Sequence, residues 1–163
     1  MYFDGNGDYL KAPTSNLVVL RGDWTLECWV YLNTVAAAQM FFDTRAVATD
    51  AGYAFYMTGS SKLALYTNNT SILVSTNSIS ASVWTHVAMS RQSNTIRAFI
   101  NGNLDPTTAS YSAVLNCIGS ILVGSEASGS SQLSGYMQDL RITNGVARYT
   151  TNFTAPTAAF QTL

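Results

Sequence analysis

The 163 residues predict an all-β chain, an antiparallel two-sheet sandwich, on three observations. Between Trp84 and Asn103 the side chains alternate with period two: Trp84, His86, Ala88 and Ser90 against Thr85, Val87, Met89 and Arg91, then Ile96, Ala98 and Ile100 against Thr95, Arg97 and Phe99. Turn residues recur at short intervals along the whole chain, and Asn101-Gly102 suits a type I′ hairpin turn, whose two central residues need positive φ. No segment holds a helical period over three turns. A meander of this length needs a second sheet to cover its apolar face.

Twelve short strands follow in order, spaced as an all-β sandwich requires. They are Tyr2 to Asp4, Asp8 to Lys11, Trp24 to Leu32, Gln39 to Thr44, Tyr53 to Thr58, Lys62 to Thr67, Ser71 to Thr76, Thr85 to Gln92, Thr95 to Asn101, Leu104 to Thr107, Ser120 to Ser125 and Gly135 to Thr143. Gly5-Asn6-Gly7 reads as a hairpin turn in which Asp4 and Asp8 accept backbone hydrogen bonds. Helix is limited to at most a single turn near Asn144 to Tyr149, and Ala127 to Ser134 is the most flexible-looking loop. The length suits one domain, 1–163, and a domain of about 150 residues buries roughly 70% of its unfolded surface.

Composition narrows the function. Charged residues are 10% of the chain, against about 25% in an average soluble domain, while Ser, Thr and Asn number 49. The surface is polar through hydroxyls and amides, which lose little rotamer entropy on contact with sugars or neighbouring subunits. Eight basic residues, scattered against nine acidic ones, build no phosphate-neutralising patch, so nucleic acid is excluded as a partner. No apolar run approaches the roughly 20 residues that cross a bilayer as a helix, so membrane insertion is not expected. The opening residues carry no basic and apolar export signal; delivery is expected either within a longer exported protein or as part of a particle released by lysis.

The pattern W-THVA-SR…NT-R-F-NG, with FDGNGDYL (Phe3 to Leu10), WTLECWVYL (Trp24 to Leu32) and GYMQDLRITNGVARYTTNFTAPTAAF (Gly135 to Phe160), resembles the laminin-G-like jelly rolls of the concanavalin A superfamily. The closing segment, Gly145 to Tyr149 and Asn152 to Pro156, resembles the ends of such domains in tailed-phage virion proteins and some bacterial surface proteins. The resemblance implies a jelly-roll sandwich, and a histidine packed and hydrogen-bonded in the W-x-H-V strand. It also implies that calcium can sit at the rim, although no cofactor is required.

Glycanase chemistry needs two carboxylates about 5 to 5.5 Å apart for retention, and the superfamily's Glu-x-Asp-x-(x)-Glu strand has no counterpart here. Only Glu27 and Glu126 exist as glutamates, and Asp139 is the acid that could approach Glu27. The single histidine, His86, has no GxSxG partner motif and no second histidine for a metal. Rim calcium, if present, falls to Asp4 and Asp8 in DGNGD or to Asp43 and Asp50 in the loop from Asp43 through Arg45 to Asp50. Trp24, Trp29 and Trp84, with Phe41, Phe42, Phe55 and Phe99, are expected in the core, whereas Tyr66, Tyr111, Tyr136 and Tyr149 are candidates to stack on a sugar. Cys28 and Cys117 fit no metal spacing and are expected as buried thiols, a single bridge being the alternative. The sequons at Asn68, Asn69 and Asn152 are chance in a Ser/Thr-rich chain.

The function expected is a non-enzymatic virion structural or adhesion module, from a tail, fibre or capsid surface, that meets a glycan or protein through rim loops. Its partners are then other virion proteins and host surface polysaccharide, in a multicopy or oligomeric setting. A free carbohydrate-binding lectin-like domain, extracellular or on a cell surface, is the alternative, followed by a glycan-active hydrolase.

Overall fold

The computed structural model describes residues 1–160. Two six-stranded antiparallel sheets face each other. The first has the order β1 (Tyr2–Asp4), β12 (Ser134–Asn144), β3 (Trp24–Leu32), β8 (Trp84–Gln92), β9 (Thr95–Ile100), β10 (Asn103–Ser110). The second runs β2 (Leu10–Ala12), β11 (Ile121–Val123), β4 (Gln39–Asp43), β5 (Tyr53–Met57), β6 (Lys62–Thr67), β7 (Thr70–Ser78). The jelly-roll sandwich is therefore the fold.

Alternation places the core. On β3 the side chains of Trp24, Leu26, Cys28, Val30 and Leu32 face inward and are fully buried. They meet Phe41, Phe42, Phe55, Met57, Leu63 and Leu65 of the second sheet. Both thiols are free and buried, and burial pushes the Cys28 thiol upward, out of reactive range.

Tight turns set the register. Asn101 and Gly102 have φ of 51° and 76°, as type I′ requires. Ser93-Asn94 (47°, 70°) and Asn68-Asn69 (47°, 59°) share that left-handed geometry. Asparagine tolerates it because its short polar side chain can bond locally, so two hairpins of the first sheet and one of the second close in the same way.

Two local expectations are corrected. Gly5-Asn6-Gly7 is a turn with the expected bonds, Asn6 N–H to Asp4 Oδ1 and Asp4 N–H to Asp8 Oδ2. It is not a hairpin, because β1 and β2 belong to different sheets. The helical turn lies at Asn16–Val18, capped by Ser15, and residues 145–149 are not helical. That segment is laid over the first sheet: the Arg148 N–H donates to Thr25 Oγ1, which itself donates to the Val146 carbonyl.

One open side of the sandwich is sewn by an aspartate. Asp105, on edge strand β10, accepts from the backbone N–H groups of Thr76 and Asn77 on β7 and of Thr107. Burial raises its pKa, but these bonds outweigh it and hold the carboxyl below its ordinary range. Edge strands that would otherwise template association are joined to each other here.

Candidate functional site

The outer face of the first sheet carries the least expected arrangement. Because side chains alternate, Thr25, Glu27, Trp29 and Tyr31 of β3 point away from the core. Register then aligns outer residues in rows across the strands. One row reads Tyr2, Tyr136, Tyr31, Trp84 across β1, β12, β3 and β8. The next reads Gln138, Trp29, His86, and the one after it Arg141, Glu27, Ala88, Phe99.

The rows differ in cover. Residues 149–160 form a strap over the Glu27 and His86 rows. Tyr149 stacks on Phe153 at 3.6 Å between ring centroids, and His86 meets Tyr149, Phe153 and Phe160 edge-on at 6.4, 5.7 and 6.5 Å. Beneath the strap Glu27 is fully buried. It accepts from Arg141 at 2.7 and 2.8 Å, from the Tyr149 hydroxyl at 2.8 Å, and from His86 Nε2 at 3.2 Å. Burial pushes its carboxyl up, and the bonds from His86, Tyr149 and Arg141 outweigh that and hold it below its ordinary value. Burial and the same carboxylate push the Tyr149 hydroxyl up to about 12. Glu27 is thus an anchor for the strap. Asp139 makes no hydrogen bond to Glu27 and lines the neighbouring cleft instead.

The first row is bare. Tyr2 is 52% exposed, Tyr136 43% and Trp84 40%, and neighbouring ring centroids lie 4.9 Å (Tyr2–Tyr136) and 5.9 Å (Tyr136–Tyr31 and Tyr31–Trp84) apart. Trp84, expected in the core, is on the surface, and Trp29 is half-buried beside it. The phase of WTLECWVYL shows why: Trp29 and Tyr31 share the side of Glu27, opposite Leu26, Cys28 and Val30. Between the row and the strap lies a cleft of about 350 Å³, lined by Trp29, Trp84, Gln138, Asp139 and residues 156–159. Asp139 sits where β12 bulges against β3, with φ of 54°, and bulges re-aim side chains in this way.

The four candidate tyrosines are not gathered in one place. Tyr136 belongs to the bare row and Tyr149 to the strap. Tyr66, on β6, lies under the Arg45 guanidinium at 4.8 Å and donates to Asn69. Tyr111 is half-buried, its carbonyl accepting from Arg91.

The aspartates are committed locally. Asp43 takes Arg45 Nε and Nη2 on its two oxygens, each at 2.8 Å, and Arg45 also reaches Glu126 at 3.2 Å. Asp50 accepts from the N–H groups of Ala46, Val47 and Gly52. Among the described residues no three His, Cys, Asp or Glu side chains gather as a metal site. Two adjoining hollows of about 290 and 490 Å³ flank the Arg45–Glu126 pair at the rim.

The laminin-G-like profile of the Concanavalin A-like lectin/glucanases superfamily matches residues 4–148. The chain belongs to that superfamily. A Bacteroides ovatus protein assigned to carbohydrate binding superposes with a TM-score of 0.67 at 13% identity, covering 86% of this chain and 42% of that one. Domain 4 of the Geobacillus stearothermophilus arabinanase AbnA, solved with arabinotriose, gives 0.66 at 16% identity, covering 87% and 69%. The CBM40 module of the Ruminococcus gnavus IT-sialidase, bound to α2,3-sialyllactose, gives 0.62 at 12%, covering 86% and 93%. Likeness at such identities shows the fold. No curated protein matches the sequence.

Proposed function

We propose that this domain is a non-enzymatic recognition module that holds a glycan against the outer face of its first sheet. The observation that carries the proposal is the bare row Tyr2, Tyr136, Tyr31, Trp84. Large aromatic side chains are favoured inside or against a partner, yet three of these four stand 40–52% exposed next to a polar-edged cleft. Support also comes from the superposed carbohydrate-binding modules, which are recognition domains. Glu27, the acid a hydrolase would need, is saturated and covered.

The setting we infer is a repeated one, on a virion surface or within an exported assembly that faces polysaccharide. It rests on the resemblance of 145–156 to virion protein ends. Weak single sites then gain strength through effective concentration. The test is binding of the isolated domain to a glycan array, followed by titration of Trp84→Ala and Tyr136→Ala. Each is expected to weaken binding about tenfold, the loss of roughly 1.4 kcal/mol of stacking, with an unchanged elution volume. Binding that survives both substitutions would place the ligand elsewhere.

A further inference from the structure

The proposed site also carries information about the shape and charge of what it takes. Resting on the reading above, we infer that the ligand is a single, uncharged polysaccharide chain that crosses the strands, meets about two to three sugar rings between Tyr2 and Trp84, and is gripped beside Tyr136 by Gln138 and Asp139.

Direction follows from the strap. Residues 149–160 occupy the Glu27 and His86 rows, so a chain running along the strands would collide with them within two residues of Tyr31. Running across the strands it follows the aromatic row, whose ring centroids lie 4.9 Å apart from Tyr2 to Tyr136 and 6.4 Å apart from Tyr136 to Trp84, a reach of about 11 Å at most, or about two interstrand steps.

Ring tilt decides between one chain and a crystalline surface. Neighbouring planes make angles of 49°, 78° and 60° along the row. A flat packed face would touch one ring at a time, whereas a free chain rotates from one unit to the next and meets tilted rings in turn.

Charge sets the class. Among the described residues Asp139 is the one charged side chain lining the row's cleft. The guanidinium that β12 does bring to this face, Arg141, is spent on Glu27 and lies 3.7 Å from the Phe160 ring of the strap. A polyanion finds no lysine or arginine side chain in the row and one repelling carboxylate beside it. Gln138 and Asp139 make no side-chain hydrogen bond to any described residue, and both border the cleft. They are free to pair with sugar hydroxyls, which a neutral chain supplies on every unit.

Titration of the domain with cello-, manno- and galacto-oligosaccharides of one to six units, beside oligogalacturonates of equal length, tests this. Affinity for at least one neutral series should rise tenfold or more from one unit to three and then level off, changing less than twofold between 50 and 300 mM salt. Gln138→Ala should weaken it about threefold, and so should Asp139→Gly, which removes the carboxylate without opposing the positive φ. Oligogalacturonates should bind at least tenfold more weakly. Tighter, salt-sensitive binding of the uronates, or affinity that ignores chain length, overturns the ligand class while a Trp84→Ala loss keeps the site. Indifference of every titration to Trp84→Ala, or absence of binding by all four series, overturns the site as well.

Discussion

Glu27 shows how one buried charge can organise a surface it never reaches. Its carboxylate is held by a guanidinium, a phenol and an imidazole from three elements, so removing the charge strands Arg141 beneath Phe160. Breaking such a pair costs more than the pair contributes relative to an apolar replacement. Glu27→Gln should therefore destabilise the domain by about 3 kcal/mol, a Tm fall of roughly 6–12 °C for a chain of this size. The same residue sets an acid limit. Glu27, Asp105 and Glu126 all titrate below their ordinary values in the folded state. The unfolded chain therefore takes up protons first as pH falls, and the stability these groups give, complete above the ordinary carboxylate range, is lost through it and below. Thermal unfolding from pH 7 to pH 3 should show Tm flat near neutrality and falling beneath about pH 5, with a shallower fall in Glu27→Gln.

At the scale of elements, the turn Asn101-Gly102 links the meander to the strap. A Cβ on Gly102 would stand 2.0 Å from the Phe153 carbonyl oxygen, at a φ of 76°, and the Phe153 N–H donates to the Gly102 carbonyl at 2.9 Å. Gly102→Ala should cost about 2–3 kcal/mol through strain and lost contact. Limited proteolysis should then cut within 149–160 before any strand, and a digestion pattern like the wild type's would show that the turn does not hold the strap. This turn was legible from the Asn-Gly dipeptide, because the positive-φ demand names its residues. Ser93-Asn94 and Asn68-Asn69 close the same geometry with less distinctive residues, and the strap was not legible at all. Its extended path depends on Thr25, Glu27 and Gly102, each far from it in sequence.

For the whole molecule, the division between core and margin was readable while the division within the margin was not. Alternation told which residues of β3 share a side, so the sandwich followed from the sequence, while the packed, hydrogen-bonded place of His86 on β8 was what the family resemblance implied. Which outer row lies bare depends on where the strap settles, and that left Trp84 assigned to the core and Tyr136 named as a candidate without its neighbours Tyr2 and Tyr31. The strap thus acts as a structural part and as one wall of the proposed site. Removing residues 150–163 takes Phe153 off the His86 ring and Phe160 off Arg141, and it uncovers apolar surface continuous with the aromatic row. Such a patch on a chain with 10% charged residues invites self-association. The truncated domain is expected to elute as larger species, with a Tm lowered by at least 10 °C. A monodisperse product with the wild-type Tm would mean that the first sheet is stable uncovered and that the strap serves the ligand alone.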